Sequence, residues 1–170
     1  MKIDKKYLEE INACEDAIKL IGDKEYDFMR VWKWCKKNNI DWAVWILGHY
    51  RISEIKLLIE SGANINMQDH NGETVLMHAG GNNRIESLQL LLDHGADINI
   101  QDNFGRTALM FAVGNNRIEI VQLLIEYGAD INIQDNDGMT ISMLAKKFGY
   151  PKIIKLLEDK ENENRQKISY

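Results

Sequence analysis

The residues able to bind metals or act as nucleophiles do not form a recognisable catalytic or metal-binding motif. The histidines and cysteines lack the spacing of a zinc site: His49, His70, His78, His94, Cys14 and Cys35. The glycines of "AGGNN" (79–83) end a predicted helix instead of preceding one, so they do not form a phosphate-binding loop. We therefore predict no metal, no cofactor and no catalytic residues, and a protein that is not an enzyme.

The composition favours a folded, soluble chain without a nucleic-acid or membrane partner. The 170 residues are 45% hydrophobic and carry a net charge of −5. An acidic balance without clustered Lys and Arg disfavours nucleic-acid binding. The N-terminal "MKIDKKYLEE" has no apolar signal core, and no window is apolar enough to span a membrane. These features predict a cytoplasmic monomer with reduced cysteines, or one exported by a leaderless route.

Several carboxylates recur with a 33-residue period, which points to architecture instead of chemistry. Residues 95–102 and 128–135 both read "GADINIQD", and 62–69 read "GANINMQD". Between residues 69–101 and 102–134, 22 of the 33 positions are identical. Asp69, Asp102 and Asp135 thus belong to a repeated turn. A repeat of this length predicts stacked units that share one continuous core.

Each repeat divides into two helices and an arm. Thr107 is expected to N-cap the inner helix of 107–114. In the outer helix of 117–128 the apolar face is predicted to comprise Ile118, Val121, Leu124 and Ile125, with Gly128 ending the helix. Alternation of Ile131 and Ile133 with polar residues predicts a strand-like arm, followed by a tight turn at 135–138.

The units resemble the ankyrin-repeat family over roughly residues 38–159. The resemblance lies in the Asp-x-x-Gly turn, the "GADIN" stretch and the paired leucines before it. The family's Thr-Pro-Leu-His becomes "TVLM", "TALM" and "TISM", which would replace a polar link between repeats with stacked Met77, Met110 and Met143. Asn83 and Asn116 stand for the family's interhelix glycine, and Asn tolerates the left-handed conformation needed there.

The resemblance implies a mostly α-helical ankyrin-repeat solenoid of stacked helix-turn-helix units with β-hairpin-like arms. We predict a degenerate unit at about 38–68, full units at 69–101 and 102–134, a C-terminal cap at 135–159 and a polar, frayed tail at 160–170. Helical patterns at 4–22 and 24–37 predict an N-terminal helical pair, so 1–37 is either a cap or a divergent repeat. Trp32, Trp34, Trp42 and Trp45 are expected to fill the seam between this pair and the stack, or to line a groove.

The resemblance also implies a scaffold that binds another protein through its turn tips and concave inner-helix face. Framework positions hold the stack in such folds, so the positions where the copies differ are the candidates for partner contacts. Phe104 is the main candidate because an aromatic residue at a loop tip has little structural purpose, and Arg106 and Tyr127 follow as residue types enriched in interfaces. The full set of predicted partner-binding residues is His70, Asn71, Glu73, His78, Asn103, Phe104, Arg106, Phe111, Tyr127, Asn136, Asp137 and Met139.

The pattern leaves other functions open. One is a regulatory or inhibitory protein that acts through its N-terminal helices, with the repeats as a rigid spacer. Another is an exported effector directed at a host, which differs in location and not in mechanism. A third is an enzyme with a site near His49 and the tryptophans.

Overall fold

The described part of the chain is a stack of helical units. The computed structural model describes residues 2–3, 26–27, 52–60 and 64–168. The helices are α1 (Ile52–Glu60), α2 (Val75–Gly81), α3 (Ile85–Asp93), α4 (Ala108–Gly114), α5 (Ile118–Glu126), α6 (Ile141–Phe148) and α7 (Pro151–Ile168). None of these helices is long and apolar enough to cross a membrane.

The helices form two layers. The inner helices α2, α4 and α6 pack against one another in order, and α1, α3, α5 and α7 form the outer layer. Each inner helix also packs on the outer helix that follows it. The mostly helical solenoid predicted from the 33-residue period is thereby confirmed.

Both layers contribute to one continuous core. The inner helices bury Leu76 and Leu109, and the outer helices bury Leu88 and Leu124. Burial of each such side chain stabilises the fold by about 1.5–3 kcal/mol. In α5 the predicted apolar face is confirmed but incomplete. Val121, Leu124 and Ile125 are buried and Ile118 is half-buried against the core, while Ile120, which was not predicted, is fully buried. An outer helix contacts its own inner helix and both neighbouring outer helices, so its buried stripe is wider than one helical face.

The predicted helix starts are confirmed. Thr74, Thr107 and Thr140 have extended backbones, and each hydroxyl accepts a hydrogen bond from the N–H three residues later. This bond satisfies a backbone donor that the first helical turn leaves unpaired. In the first of these caps the Thr74 N–H also donates to the sulfur of Met77 at 3.3 Å.

The methionines predicted to stack between units are buried in only two of the three units. Met77 and Met110 are buried, but Met143 is 50% exposed. Among the described residues, α6 has an inner-helix neighbour on one side only, which is α4. The methionine of the last unit therefore lies at the open end of the inner layer.

Residues with left-handed backbones connect the elements. Asn83 and Asn116, with φ of 58° and 55°, lie between the inner and outer helices as predicted. Gly95 and Gly128 follow the ends of α3 and α5 with φ of 80° and 87°. Glycine adopts this conformation without the steric cost that other residues meet.

The arms are not the strands that their alternating isoleucines suggested. Residues 96–101 and 129–134 contain turns and irregular backbone, and the only β-bridge described in an arm joins Gln68 to Thr74. A hairpin-like bond nevertheless closes each tight turn, from the Asp102 N–H to the Arg106 carbonyl, for example. The isoleucines of the arm alternate with polar residues because Ile131 is buried and Ile133 is half-buried against the core, although the backbone is not a strand.

Side chains of the arms join consecutive units in register. Gln68 Nε2 donates to the Gln101 carbonyl at 3.1 Å, and Gln101 Nε2 donates to the Gln134 carbonyl at 2.9 Å. Asn66 and Asn99 each accept, through Oδ1, an N–H from the next arm, of Asp97 and Asp130 respectively. These bonds explain why "NIQ" recurs, and we call them the arm ladder.

The last outer helix is longer than predicted. Helix α7 begins at Pro151, where the fixed φ of proline suits a first helical turn, and continues to Ile168. The expected frayed tail after residue 159 is therefore wrong for 160–168. Glu161 occupies the position of Gly95 and Gly128, so no glycine ends the helix, and Glu161 Oε1 accepts a bond from Ser142 Oγ at 2.8 Å.

The predictions for the N-terminal part lie mostly outside the described residues. Lys2–Ile3 (β1) pairs antiparallel with Tyr26–Asp27 (β2). Tyr26 and Asp27 fall within the helix predicted for 24–37, so that prediction is wrong at these two residues, whose backbones are extended for pairing. The tryptophans, both cysteines and His49 are outside the described residues.

Substitution of two turn glycines separates backbone strain from contact between units. Gly105 and Gly138 have φ of 77° and 76°, but a Cβ at Gly105 would lie 2.7 Å from the Asn136 backbone N, whereas a Cβ at Gly138 meets nothing within 4 Å. We expect Gly138→Ala to cost about 1 kcal/mol from strain alone. Gly105→Ala should cost about 1–3 kcal/mol more because the units must move apart. Urea unfolding measures both, and equal costs would contradict the close approach.

Candidate functional site

The turn tips are built by a repeated aspartate. Asp102 Oδ1 accepts the N–H groups of Phe104 and Arg106 at 2.9 and 2.7 Å, and Asp69 and Asp135 make the same pair of bonds in their turns. The backbone of each tip is thus fixed by the aspartate and the left-handed glycine. The side chains two and four residues after the aspartate are not needed for the turn, and they differ between copies.

Phe104 is the most exposed large apolar residue at a tip. Its side chain is 58% exposed, while the same position holds Asn71 in the preceding unit and Asp137 in the following one. Only the backbone of Phe104 links units, since its carbonyl accepts the Asn136 N–H at 2.9 Å. The exposure predicted for Phe104 is therefore confirmed, and its ring is not used by the core.

Arg106 holds this ring in place. Its guanidinium carbon lies 4.9 Å from the centre of the Phe104 ring and 4.6 Å from that of Phe111 on helix α4. The same group contacts Asp102 Oδ2 at 2.6 Å through Nη2 and at 2.7 Å through Nε, and Glu73 Oε1 of the preceding unit at 3.2 Å. We call these five residues the Arg106 network. Since Asp102 has a fully buried side chain, loss of the Arg106 guanidinium would leave a buried carboxylate without its charged partner.

The equivalent positions one unit earlier hold a different group. His78 on helix α2 corresponds to Phe111, and Glu73 corresponds to Arg106. His78 Nε2 lies 3.4 Å from Asp69 Oδ2 and 3.4 Å from Glu73 Oε2. Through Glu73 this histidine–carboxylate group adjoins the Arg106 network, so five of the predicted residues form one continuous surface: Glu73, His78, Phe104, Arg106 and Phe111.

Two other predicted residues, Asn103 and Asn136, form hydrogen bonds between consecutive units. Asn103 Nδ2 donates to the His70 carbonyl at 2.8 Å, and Asn136 Nδ2 donates to the Asn103 carbonyl at 2.9 Å. The Asn103 N–H also donates to the Asn71 carbonyl. These bonds give the asparagine amides a structural role that the sequence did not reveal. His70, Asp137 and Met139 lie at or beside the same tips, the first two exposed and Met139 half-buried.

Tyr127 contacts a different part of the stack. It follows helix α5, is 39% exposed and donates a hydrogen bond from its hydroxyl to Asp93 Oδ1 at 2.6 Å. The hydrogen bond to Asp93 raises the pKa of Tyr127 above its usual value of 10.0, with smaller contributions from burial and from the charges of Asp93 and Glu126. Tyr127 therefore joins two outer helices, a contact that the sequence did not indicate.

A groove of 410 Å³ adjoins the C-terminal helix. It is lined by residues of the last arm, of helix α6 and of the extended part of α7: Ile131, Asn132, Thr140, Ser142, Glu161, Asn164 and Arg165. The groove exists because α7 continues past the point at which earlier outer helices end. None of its residues was predicted as a binding residue.

Loss of the Arg106 guanidinium should destabilise the fold. Arg106→Met leaves the buried Asp102 carboxylate with backbone donors only and removes the link to Glu73. We expect a loss of about 1–3 kcal/mol in urea unfolding. Lys160→Met is the control, because Lys160 pairs with a Glu163 that is 61% exposed and should contribute less than about 0.5 kcal/mol. Equal effects of the two substitutions would contradict a structural role for Arg106.

The Tyr127–Asp93 bond predicts a pH-dependent contribution to stability. A raised pKa in the folded state means that folding favours the protonated phenol, so the bond stabilises the fold below about pH 10 and is lost as the pH rises through the folded-state pKa. Tyr127→Phe should therefore be less stable than the wild type at neutral pH, and the difference should shrink in alkaline buffer. Urea unfolding at several pH values measures it, and a pH-independent difference would rule out the proposed linkage.

Comparison with known proteins agrees with the stacked helical units of the structure. A family model described as "Ankyrin repeats (3 copies)" matches residues 40–135 and 95–167. A search of curated proteins finds no significant match. The two overlapping matches cover well over half of the chain, extend into the C-terminal part of α7 and include every tip described above. The chain belongs to the ankyrin-repeat family.

Proposed function

We propose that this protein is a non-catalytic scaffold that binds a partner protein through its turn tips and inner-helix face, with Phe104 as the central contact. Ankyrin repeats are generally protein–protein interaction modules, and the family is typically non-catalytic. The observation that carries the proposal is the exposed Phe104 ring, held against Arg106 beside Phe111.

The turn does not need an aromatic side chain at position 104. Asp102 and Gly105 already form the turn, and the neighbouring copies form the same turn with Asn71 or Asp137 in place of phenylalanine. An exposed aromatic ring costs solvation free energy that a structural role does not offset. Binding would bury the ring and recover that free energy.

The Phe104 side chain is already held in one orientation before any partner binds. The Phe104 ring rests against a guanidinium whose donors are engaged by Asp102 and Glu73. A side chain already held in one orientation loses less conformational entropy on binding than a free one does. Arg106 thus acts in this proposal as the support for Phe104 and not as an unpaired cation that seeks an acid.

The matching partner is a protein with an apolar pocket for one aromatic ring. Around that pocket it should present hydrogen-bonding groups for the polar tips, which carry His70 and Asp137 in the flanking units. Aromatic anchors surrounded by polar rims are typical of interaction hot spots.

Replacement of Phe104 by a residue that the repeat already accepts tests this surface. Phe104→Asp copies the tip at Asp137, so the turn should form normally and stability should change by less than about 0.5 kcal/mol. The full chain serves as bait for affinity capture, and the affinity for each captured protein is then measured in solution. We expect at least a tenfold loss of affinity, which corresponds to about 1.4 kcal/mol.

Phe148→Ala is the matched control. Phe148 is also an exposed phenylalanine, at 47%, but it lies at the end of α6 and stacks on Tyr150. Its loss should leave the partner affinity unchanged. Equal binding by Phe104→Asp and the wild type would defeat the proposal and would favour the alternative in which the N-terminal segment 1–37 binds the partner.

A further inference from the structure

We propose that Asp69, Glu73 and His78 form a binding site for one zinc ion or a chemically similar divalent metal. The sequence did not predict this site, because the three residues are spread over ten positions and do not match a zinc motif. The fold brings them together where the first described turn lies against the last turn of helix α2, which carries His78. The site shares Glu73 with the Arg106 network, but the argument for metal binding does not depend on the partner protein proposed above.

The ligand atoms have suitable separations. His78 Nε2, Asp69 Oδ2 and Glu73 Oε2 lie within 4.8 Å of one another, and both histidine-to-carboxylate distances are 3.4 Å. In a tetrahedral zinc site with bonds of about 2.0–2.1 Å, two ligand atoms lie about 3.3 Å apart. A metal ion among these atoms therefore requires little movement of His78 relative to either carboxylate, and the two carboxylate oxygens, within 4.8 Å of each other, would approach to about 3.3 Å.

The supporting bonds orient the carboxylates. Asp69 Oδ1 accepts the N–H groups of Asn71 and Glu73, which leaves Oδ2 directed toward His78. Glu73 Oε1 contacts Arg106, while Oε2 is directed toward His78. Each carboxylate would thus bind the metal through one oxygen and be held by the other, as is usual around metal ligands.

Charge and burial favour a divalent cation. The side chains of Asp69, Glu73 and His78 are 6%, 16% and 12% exposed, so the charges are poorly screened by water. The two ligand carboxylates would neutralise a divalent ion. The positive charge of Arg106 lies nearby, but the buried Asp102 already offsets it.

The donor set selects the metal. One imidazole nitrogen and two carboxylate oxygens suit zinc and similar transition metals, whereas calcium and magnesium prefer oxygen ligands alone. Three protein ligands leave a fourth position for water in a tetrahedral complex. The neighbouring units lack the set, since they carry Arg106 with Phe111 and Met139 with Leu144 at the positions of Glu73 and His78.

Zinc titration of the full-length, tag-free, reduced chain tests the site. Isothermal titration calorimetry should show one zinc ion per chain, and zinc should raise the melting temperature because it binds only the folded turn. His78→Phe, which copies Phe111, and Glu73→Gln should each weaken binding by about tenfold or more and abolish the rise in melting temperature. Glu73→Gln preserves side-chain size, so the test holds even if His78→Phe folds poorly.

Two controls exclude other ligands. His94→Phe removes an exposed histidine outside the cluster, and the double substitution Cys14→Ser with Cys35→Ser removes both thiols. Both proteins should bind zinc as the wild type does. Cobalt bound to the wild type should show the visible absorption of a tetrahedral site without a thiolate charge-transfer band. The proposal is overturned if the wild type binds no zinc, if His78→Phe binds it unchanged, or if binding disappears with the cysteines.

Discussion

The register between consecutive units is the constraint on which this structure depends. The arm ladder and the asparagine bonds at the tips connect atoms that are about one repeat apart in sequence, such as Gln68 with Gln101 and Asn103 with Asn136. Because each bond joins equivalent positions of consecutive units, the ladder and the tip bonds together hold the units in one alignment. The close approach at Gly105, which leaves no room for a Cβ, belongs to the same joint.

Because the framework satisfies its own backbone groups, the same turn can carry different chemistry in each unit. The aspartate and glycine form the loop at 69–73, at 102–106 and at 135–139 with nearly identical hydrogen bonds. The side chains at the variable positions then produce a histidine–carboxylate group in one unit and an arginine between two phenylalanines in the next. This separation between framework and surface is what allows a repetitive fold to present a binding surface that does not repeat.

The sequence predicted correctly those features that depend on the backbone conformation of one residue. The threonine N-caps, the left-handed asparagines and the glycines after the outer helices all follow from backbone geometry within a few residues. It was less accurate where packing decides. Ile120 proved more buried than Ile118, the arms proved irregular, and α7 continued to Ile168 where a frayed tail was expected. The candidate surface shows the same division, since the exposure of Phe104 was predicted, but the bonds of Arg106, Asn103 and Tyr127 to neighbouring units were not.

The sequence by itself determined the repeat length, the family, the order of helices and the positions where copies differ, because these depend on periodicity and on local conformational preferences. Only the tertiary structure decided which of those variable residues meet. Arg106 reaches Glu73 across 33 residues, and His78 meets Asp69 because helix α2 folds back over its own turn. Such contacts depend on the distance and angle between packed elements, which no single stretch of sequence encodes. The tertiary structure therefore placed Arg106 against Asp102, Glu73 and two phenylalanine rings, and it brought ligand atoms of Asp69, Glu73 and His78 within 4.8 Å of one another.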